Sequence, residues 1–260
     1  MDTSINFKVS NGVARITLNR PKVFNSFNKA MAFAMQDALD ECANDPAVRA
    51  VVITGEGKAF CAGQDIQEIT DPALNPGFKA ILDDHYNPIV LKIRNLNKPV
   101  VAAVNGVAAG AGANIALCCD VVIASSGASF IQAFSKIGLI PDSAGTFFLP
   151  RLIGFGKASA IAMLADKITA SQAEELGMIY KSVPAAEFES TVQTTASKLA
   201  NLPTVALANT KAALNASLTN DLEAQLRLES KLQIESAATA DYQEGVNAFM
   251  EKRAPKFTGK

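Results

Sequence analysis

The sequence predicts an α/β fold in which mainly parallel strands stack and helices lie on the outside. Apolar runs at 50–54, 100–104 and 120–124 have the length and composition of strands that are buried on both faces. Segments with helical spacing alternate with these runs, which favours a parallel sheet. Beyond residue 153 helical signals dominate.

A β-hairpin is predicted at the start of the chain. Apolar and polar residues alternate through 5–9 and again through 14–18. Between the two runs lies Asn11-Gly12, a typical two-residue hairpin turn. The alternation predicts that one face of this hairpin is buried.

Four further elements are predicted before residue 100. Apolar residues recur at helical spacing in 31–44, where Asn-Asp-Pro ends the helix, and the strand 50–54 follows. We interpret 55–65 as a loop. The segment 78–96 is predicted to be helical, to cover the site and to break or kink at Pro88, because proline has no N–H to donate.

The stretch 98–154 is the part of the chain around which the rest is organised. Its strand 100–104 leads into a loop with Gly106, Gly110 and Gly112, and a short apolar helix follows. Backbone N–H groups lack intrahelical partners where a helix begins, and small residues let a ligand approach the main chain there. We therefore interpret this loop as an oxyanion-binding turn.

Helices follow one another in the last part of the chain. They are predicted near 157–165, 171–176, 187–199, 204–218, 221–237 and 241–252. Ser171 and Glu174 match a capping box, and Gly177 is a typical helix end. A strand at 180–183 interrupts these helices.

Composition limits the classes of function. With 260 residues, 49% of them hydrophobic, the chain can bury a substantial core. The formal net charge of −1 gives no field that attracts nucleic acid or an anionic membrane. No apolar run reaches the roughly 18 residues of a membrane span and no targeting signal is visible, so a cytoplasmic protein is expected. A change in composition near residue 200 predicts a core at 1–200 and a helical C-terminal subdomain at 201–260.

The cysteines and the single histidine do not indicate a metal site. The cysteines lack the paired spacing of zinc ligands, and we expect reduced, buried thiols at Cys42, Cys61, Cys118 and Cys119. His85 is expected at the surface or in a pocket wall. A contact with a ligand, by His85 or by Tyr86, is the alternative.

Serine hydrolysis is not expected at Ser143, although Asp-Ser-Ala-Gly resembles part of a nucleophile elbow. The elbow requires glycine where Pro141 stands. A catalytic triad would also need His85 as its base, because the chain has no other histidine.

Two segments carry a family resemblance. The sequence Lys-Ala-Phe-Cys-Ala-Gly-Gln-Asp-Ile at 58–66, together with 98–154, resembles the enoyl-CoA hydratase/isomerase (crotonase) superfamily. The resemblance implies a spiral of stacked ββα units, a C-terminal subdomain that trimerises, a homotrimer or a hexamer of two trimers, and an acyl-CoA substrate. It also implies that the N–H groups of Gln64 and Ala111 stabilise the thioester enolate.

The catalytic group is a second implication of the resemblance. The positions that match the two glutamates of the hydratases are Asn114 and Phe134, and neither side chain can take a proton, which argues against hydration. Asp142 stands where isomerases of the superfamily have their single carboxylate. The segment 133–145 and the C-terminal end resemble the ring-epoxide isomerases, which implies 1,2-epoxyphenylacetyl-CoA as substrate.

Other interpretations of the same residues stay open. Asp142 after a proline is also a good N-cap for a following helix, and apolar neighbours would raise its pKa if it were buried. A Δ3,Δ2-enoyl-CoA isomerase would use Asp142 in the same way. Aryl-CoA dehalogenases have tryptophan where Phe134 stands, which makes that activity a distant alternative. A non-catalytic acyl-CoA-binding protein is an alternative from a different class.

Coenzyme A contacts are also carried over by resemblance, with Phe249 and Lys252 reaching the coenzyme from a neighbouring subunit. For any surface lysine a solvated position is the plain alternative. No metal and no separate cofactor are expected, because coenzyme A arrives as part of the substrate. The residues expected to line the coenzyme site are Lys22, Ala62, Gly63, Ile66, Gly110, Phe249 and Lys252.

Overall fold

The computed structural model describes residues 3–260, and its strands form two sheets. In chain order the strands are β1 (Ile5–Ser10), β2 (Val13–Leu18), β3 (Ala50–Gly55), β4 (Ala59–Cys61), β5 (Val100–Val104), β6 (Val107–Ala109), β7 (Val121–Ser125), β8 (Ser129–Ile131), β9 (Lys167–Thr169) and β10 (Lys181–Val183). The larger sheet has the order β1-β2-β3-β5-β7-β10 and the smaller one β4-β6-β8-β9. Only the pairs β1-β2 and β8-β9 are antiparallel among the pairs of these ten strands, so the prediction of a mainly parallel α/β fold is confirmed.

The helices agree with the predicted ones to within one or two residues in the last part of the chain. They are α1 (Lys29–Asn44), α2 (Ile66–Thr70), α3 (Phe78–Ala80), α4 (Asn87–Asn95), α5 (Ala111–Leu117), α6 (Gly145–Ile153), α7 (Phe155–Leu164), α8 (Ala170–Glu175), α9 (Phe188–Ala200), α10 (Thr204–Ser217), α11 (Leu222–Ala237) and α12 (Ala240–Met250). Within residues 3–260 no helix combines the length and the apolar character needed to cross a membrane. The division at residue 200 stays a prediction.

Strands and helices repeat in the order ββα. The units β3-β4-α2 and β5-β6-α5 each send their first strand to the larger sheet and their second strand to the smaller one, and β7 and β8 do the same. The expected spiral of stacked ββα units is therefore confirmed. The interpretation of 55–65 as a loop was wrong, because β4 lies within it, and β6, β8 and β9 were not predicted either. Each of these four strands has three residues, too few to show a strand periodicity.

The hairpin turn has the backbone conformation that the sequence predicts, and the helical segment 78–95 contains an irregular turn. Asn11 and Gly12 both have positive φ, 50° and 77°, as a type I′ hairpin turn requires. The residues 78–95, which we call the cover helix, are helical throughout, but Ile81–Tyr86 form a wider π-helix directly before α4, with Pro88 in the first turn of α4. The helix is not broken at Pro88, because α4 takes up this proline in its first turn and the wider turn lies in the six residues before α4. Single π-turns are frequent at functional sites.

The larger sheet is buried on both faces, as its apolar strands predict. In β3, Val51 and Ile53 belong to the core that includes α1 and α4, whereas Ala50 and Val52 belong to the core that includes α9. Successive side chains of a strand point to opposite faces, so one strand contributes to both cores. The sheet is therefore a rigid support for the loops at its ends.

Two local predictions have different outcomes. The capping box of α8 is formed by Thr169 and Gln172, and not by Ser171 and Glu174; Thr-x-x-Gln fits the same motif, and α8 begins one residue earlier than predicted, directly after β9. The expectation of reduced, buried thiols is confirmed for all four cysteines. Burial raises the pKa of Cys61 to about 12, so this thiol stays protonated at neutral pH.

We predict that Gly106→Ala destabilises the protein, whereas Gly127→Ala does not. Gly106 lies between β5 and β6, where a Cβ would be 2.1 Å from the Lys58 carbonyl oxygen. That oxygen belongs to the main chain, so relief of the clash must shift the backbone, at a cost of about 1–3 kcal/mol or more. Gly127 lies at the corresponding corner between β7 and β8 with no heavy atom within 4 Å of its Cβ position. Urea unfolding at fixed protein concentration measures both variants, and equal midpoints would contradict the prediction.

Candidate active site

Two glycine-rich segments meet because the strands before them are neighbours. β4 and β6 pair in parallel, so their carboxyl ends lie side by side. Gly63, which follows β4, has a φ of +94°, and a Cβ on it would lie 3.0 Å from the Ala109 carbonyl oxygen and 3.5 Å from the Ala111 nitrogen. The segments 58–66 and 98–154, which carry the resemblance, are therefore in direct contact.

The main chain at Gln64 is held by a bridge to Phe27. The Phe27 N–H donates to the Gly63 carbonyl at 2.7 Å, and the Asp65 N–H donates to the Phe27 carbonyl at 2.8 Å. Successive N–H groups of an extended chain point to opposite sides, so the Gln64 N–H points away from Phe27. Among the hydrogen bonds of residues 3–260, none satisfies this N–H.

The N–H of Ala111 lies at the start of a buried helix. Ala111 is the first residue of α5, and a first N–H has no intrahelical acceptor. Gly110 before it has φ 53° and ψ −129°, and its own N–H donates to the Ile131 carbonyl at 2.9 Å. This backbone conformation favours glycine and turns the chain from β6 into α5. In the described part of the chain the Ala111 N–H also has no acceptor, so both N–H groups can donate to a ligand oxygen.

The side chain of Gln64 connects the turn to the cover helix. Tyr86 is 1% exposed and its hydroxyl lies 3.0 Å from Gln64 Oε1, while Gln64 Nε2 donates to Glu68 at 2.7 Å. The other carboxylate oxygen of Glu68 accepts from the Lys29 N–H at 2.7 Å. Burial, with smaller contributions from nearby groups that include Cys61 and Asp142, raises the pKa of Tyr86, so its hydroxyl stays protonated and donates to Gln64.

Asp142 lies in a turn before α6 and does not cap that helix. The residue before the first residue of α6 is Ala144, with φ 61°, and no side chain caps the helix. The Asp142 carboxylate instead accepts from the Ser143 hydroxyl at 2.9 Å. The interpretation of Asp142 as an N-cap was wrong, because two left-handed residues, Ser143 and Ala144, separate it from α6.

The surroundings of Asp142 favour its protonated form. Burial raises the pKa of the Asp142 carboxyl above its ordinary value, and the hydrogen bond from Ser143 offsets part of that rise. A carboxylate that has lost part of its hydration is a stronger base than a solvated one.

Asn114 and Phe134, which match the hydratase glutamates by resemblance, are both buried. The Phe134 ring lies 3.7 Å from the position of a Cβ on Gly110 and so covers the turn before α5 with an apolar group. Asn114 lies one turn along α5 from Ala111, and its Nδ2 donates to the Asp142 carbonyl at 2.8 Å. The helix that presents the Ala111 N–H is therefore bonded directly to the turn that carries Asp142.

The expected coenzyme residues fall into two groups. The first group lies at the first glycine-rich turn, which contains Ala62, Gly63 and the 58% exposed Ile66. The Ala62 N–H donates to the Phe24 carbonyl at 3.0 Å, and this bond joins the turn to the exposed segment that contains Lys22. Phe249 and Lys252, at the end of α12 and just beyond it, are also exposed. No hydrogen bond or ion pair within residues 3–260 joins either of them to the turns, so their contribution from a neighbouring subunit stays a prediction.

The structure also decides between earlier alternatives for single residues. A surface position for His85 was wrong, because this side chain is 2% exposed and packs edge-on against Phe33 with ring centroids 5.5 Å apart. Burial lowers its pKa, which keeps the ring neutral. Ser143 is buried, and its hydroxyl donates to the Asp142 carboxylate and not to a histidine. Among residues 3–260 no group of three His, Cys, Asp or Glu residues is placed to hold a metal ion.

Sequence reasoning missed two polar residues of the site, Glu68 and Gln132. Glu68 lies on α2 and accepts from Gln64, which precedes the N-cap of that helix, so a helical spacing rule does not predict their contact. Gln132 follows β8 and donates to Asn114 Oδ1 at 2.7 Å. No local pattern indicates that contact, because it depends on the pairing of β8 with β6.

Comparison with known proteins gives a consistent result over nearly the whole chain. The family model described as enoyl-CoA hydratase/isomerase matches residues 8–260. A protein of Rhodobacter capsulatus named "probable enoyl-CoA hydratase" is 46% identical, covering 99% of this chain and 98% of that protein. The 1,2-epoxyphenylacetyl-CoA isomerase of Escherichia coli is 45% identical, covering 97% of each.

A solved structure agrees in fold. The crystal structure of an enoyl-CoA hydratase from Bacillus anthracis superposes with a TM-score of 0.92 at 31% identity, covering 99% of this chain and 100% of that one. At this similarity both the order of the elements and their packing are shared.

We predict that Asp142→Asn makes the folded protein more stable at neutral pH. Because burial raises the pKa of the carboxyl in the folded state, the folded protein binds the proton more tightly than the unfolded chain does. Wild-type stability therefore falls as pH rises from the unfolded pKa through the folded one, and the neutral amide avoids this loss. Urea midpoints should be higher for Asp142→Asn at neutral pH and equal to wild type below the ordinary aspartate pKa.

The matched control for this prediction is Asp166→Asn. Asp166 is exposed, so the same substitution there should leave the midpoint almost unchanged at both pH values. A lower midpoint for Asp142→Asn than for wild type at neutral pH would contradict the prediction.

Proposed function

This chain belongs to the enoyl-CoA hydratase/isomerase family, and from that premise we propose that it is an acyl-CoA isomerase with Asp142 as its base. The observation that carries the proposal is the partly buried Asp142 carboxylate, which lies on a turn bonded through Asn114 to the helix that presents the unsatisfied Ala111 N–H. Asn114 and Phe134 provide no second proton carrier. Hydration needs one group to deprotonate water and another to handle the α-proton, whereas isomerisation needs only one group.

The chemistry follows from this arrangement. The thioester oxygen accepts hydrogen bonds from the N–H groups of Gln64 and Ala111, which stabilise the negative charge that develops when the α-carbon loses its proton. Asp142 takes that proton and returns it to another carbon of the same substrate. The bond from Tyr86 and the bridge to Phe27 hold Gln64 on both sides, so its N–H needs little reorganisation during the reaction.

We propose 1,2-epoxyphenylacetyl-CoA as the substrate and oxepin-CoA as the product, in phenylacetate degradation. The support is the Escherichia coli relative named 1,2-epoxyphenylacetyl-CoA isomerase, together with the apolar cover that Phe134 provides. Proton removal beside the thioester would drive epoxide opening and ring expansion. A Δ3,Δ2-enoyl-CoA isomerase is the second candidate, because one carboxylate serves that reaction equally well.

The proposal includes the assembly and the location. Coenzyme A enters as part of the substrate, and proton transfer by Asp142 needs no separate cofactor. A homotrimer or hexamer is supported by large apolar side chains that α10, α11 and α12 expose, since such surfaces mark protein contacts. They include Leu214, Leu222, Leu226, Ile234, Phe249 and Met250. A cytoplasmic location stays a prediction.

The proposal is tested by isotope exchange and by product analysis. The protein is incubated in deuterium oxide with phenylacetyl-CoA, with a 3-enoyl-CoA and with a 2-enoyl-CoA. Deuterium uptake at the α-carbon of phenylacetyl-CoA supports the aromatic substrate, and faster double-bond migration in the 3-enoyl-CoA supports the aliphatic one. Efficient hydration of the 2-enoyl-CoA would overturn the isomerase proposal, and binding without exchange would indicate a non-catalytic acyl-CoA-binding protein.

Asp142→Asn is expected to lower turnover by about 10²–10⁴-fold, the usual contribution of a general base. The affinity for phenylacetyl-CoA should change little, because the amide has the shape of the carboxyl group. Asp166→Asn, the exposed control, should keep wild-type turnover. Turnover of Asp142→Asn near the wild-type rate would remove Asp142 from the mechanism.

Ala111→Pro is expected to remove one oxyanion donor without breaking α5. Proline is well tolerated at the first position of a helix, where its missing N–H has no intrahelical acceptor. Loss of one such donor costs about 2.7–4 kcal/mol of transition-state stabilisation, or about 10²–10³-fold in kcat.

The control for this variant is Ala240→Pro. Ala240 is the exposed first residue of α12, and the extended Thr239 before it is compatible with proline. Turnover is compared after thermal unfolding shows that both variants are folded. Equal turnover in Ala111→Pro and wild type would show that the Ala111 N–H is not a donor.

A further inference from the structure

Two donors from two different helices hold the carbonyl oxygen of Asp142. Asn114 of α5 donates from Nδ2 at 2.8 Å, and the Gly145 N–H at the start of α6 donates at 2.8 Å. A carbonyl oxygen has two lone pairs, so these donors satisfy it completely. The main chain at Asp142 is therefore tied to both helices.

The Asp142 carbonyl determines which way round the Asn114 amide lies, and Gln132 supports that orientation. Because a carbonyl oxygen only accepts, Asn114 must turn its Nδ2 towards Asp142 and its Oδ1 towards Gln132. Gln132 then has to offer its Nε2, which lies 2.7 Å from Asn114 Oδ1. The hydrogen bonds therefore run in one direction, from Gln132 to Asn114 and from Asn114 to the carbonyl of Asp142. This carbonyl belongs to the turn that carries the carboxylate.

Stability alone does not explain an amide at position 132. Gln132 is 1% exposed, and its Oε1 is buried without a hydrogen-bond partner among residues 3–260. A buried acceptor without a partner destabilises the folded protein relative to an apolar side chain of the same size. A donor at this position satisfies Asn114 Oδ1 and so supports the orientation in which Asn114 Nδ2 faces Asp142.

The turn itself is strained and tightly packed. Ser143 and Ala144 follow Asp142 with φ values of 48° and 61°, and consecutive left-handed residues persist only where their surroundings hold them. A Cβ on Gly145 would lie 2.3 Å from Asn114 Nδ2, so α6 begins in direct contact with this amide. Without the Asn114 side chain there would be space beside the turn, and the left-handed residues Ser143 and Ala144 would tend to relax into it.

We propose that Asn114 and Gln132, which we call the amide bracket, are positioning residues that hold the Asp142 carboxylate at the reacting carbon. The inference rests on the proposed function, in which Asp142 is the base. The bracket acts through the main chain of Asp142, and it orients the carboxylate without contact with the substrate. A displacement of about 1 Å in a reacting group can lower a rate by about 10²-fold.

The test replaces both amides together. In Asn114→Leu/Gln132→Leu two apolar side chains of similar volume meet, so neither amide leaves its partner buried and unpaired. We expect kcat for α-proton exchange with phenylacetyl-CoA to fall by about 10–100-fold, with KM nearly unchanged. The control is Asn19→Leu, because Asn19 Nδ2 donates to the Thr3 carbonyl at 2.8 Å, also an amide-to-carbonyl bond. This control should keep the wild-type kcat.

A second measurement separates positioning from general damage. In the Asp142→Asn background the same bracket substitutions should have no further effect on the residual rate, because there is no base left to position. A wild-type kcat in the bracket variant overturns the inference. An equal loss of kcat with and without Asp142 overturns it as well, since the effect would then not act through Asp142.

If the double replacement does not fold, Gln132→Met is used in its place. This variant removes the donor to Asn114 Oδ1 but leaves Asn114 able to bond to the Asp142 carbonyl. Its kcat and KM are compared with wild type in the same way. If Asp142→Asn keeps wild-type turnover, the proposed function fails and the bracket fails with it. If Asp142→Asn loses turnover and the bracket variants do not, only the bracket is overturned.

Discussion

The parallel pairing of β4 with β6 is the constraint on which the candidate site depends. Each strand has only three residues, yet their pairing brings Gly63 close to Ala109 and Ala111. A Cβ on Gly63 would lie 3.0 Å from the Ala109 carbonyl oxygen. Parallel strands end at the same edge of a sheet, so two N–H groups far apart in sequence come to one place. The central strands of the larger sheet, which are buried on both faces, precede β4 and β6 along the chain.

The polar side chains around this edge form two separate systems. One system runs from Tyr86 through Gln64 to Glu68 and joins the cover helix to the first turn. The other runs from Gln132 through Asn114 to the carbonyl of Asp142. Buried polar groups of this kind add little net stability when satisfied, but they specify one arrangement of the main chain. Each system includes the side chain or the main chain of a residue that the proposed reaction requires, Gln64 in the first and Asp142 in the second.

The turn at Asp142 shows how one local sequence can serve either stability or chemistry. Proline, aspartate and serine before a helix usually form a cap, and a capping carboxylate would be occupied by backbone N–H groups. Here two left-handed residues move the start of α6 three residues beyond Asp142. The carboxylate therefore accepts from the Ser143 hydroxyl and not from the N–H groups of α6, and burial raises its pKa. Both features suit a base better than a cap.

The sequence by itself determined the elements whose signals are local. The alternation around Asn11-Gly12, the helical spacing of α1 and of the last helices, and the buried runs of β3, β5 and β7 all depend on residues within a few positions of one another. Its family resemblance also indicated Gly63, Gly110 and Asp142 as site residues. Only the tertiary structure decided that four three-residue strands form a second sheet, that Asp142 is not a cap and that Gln132 reaches Asn114. These features arise from contacts between residues 18 to 48 positions apart, such as Gln132 with Asn114 and Ala59 with Val107, and no short window of sequence contains both partners.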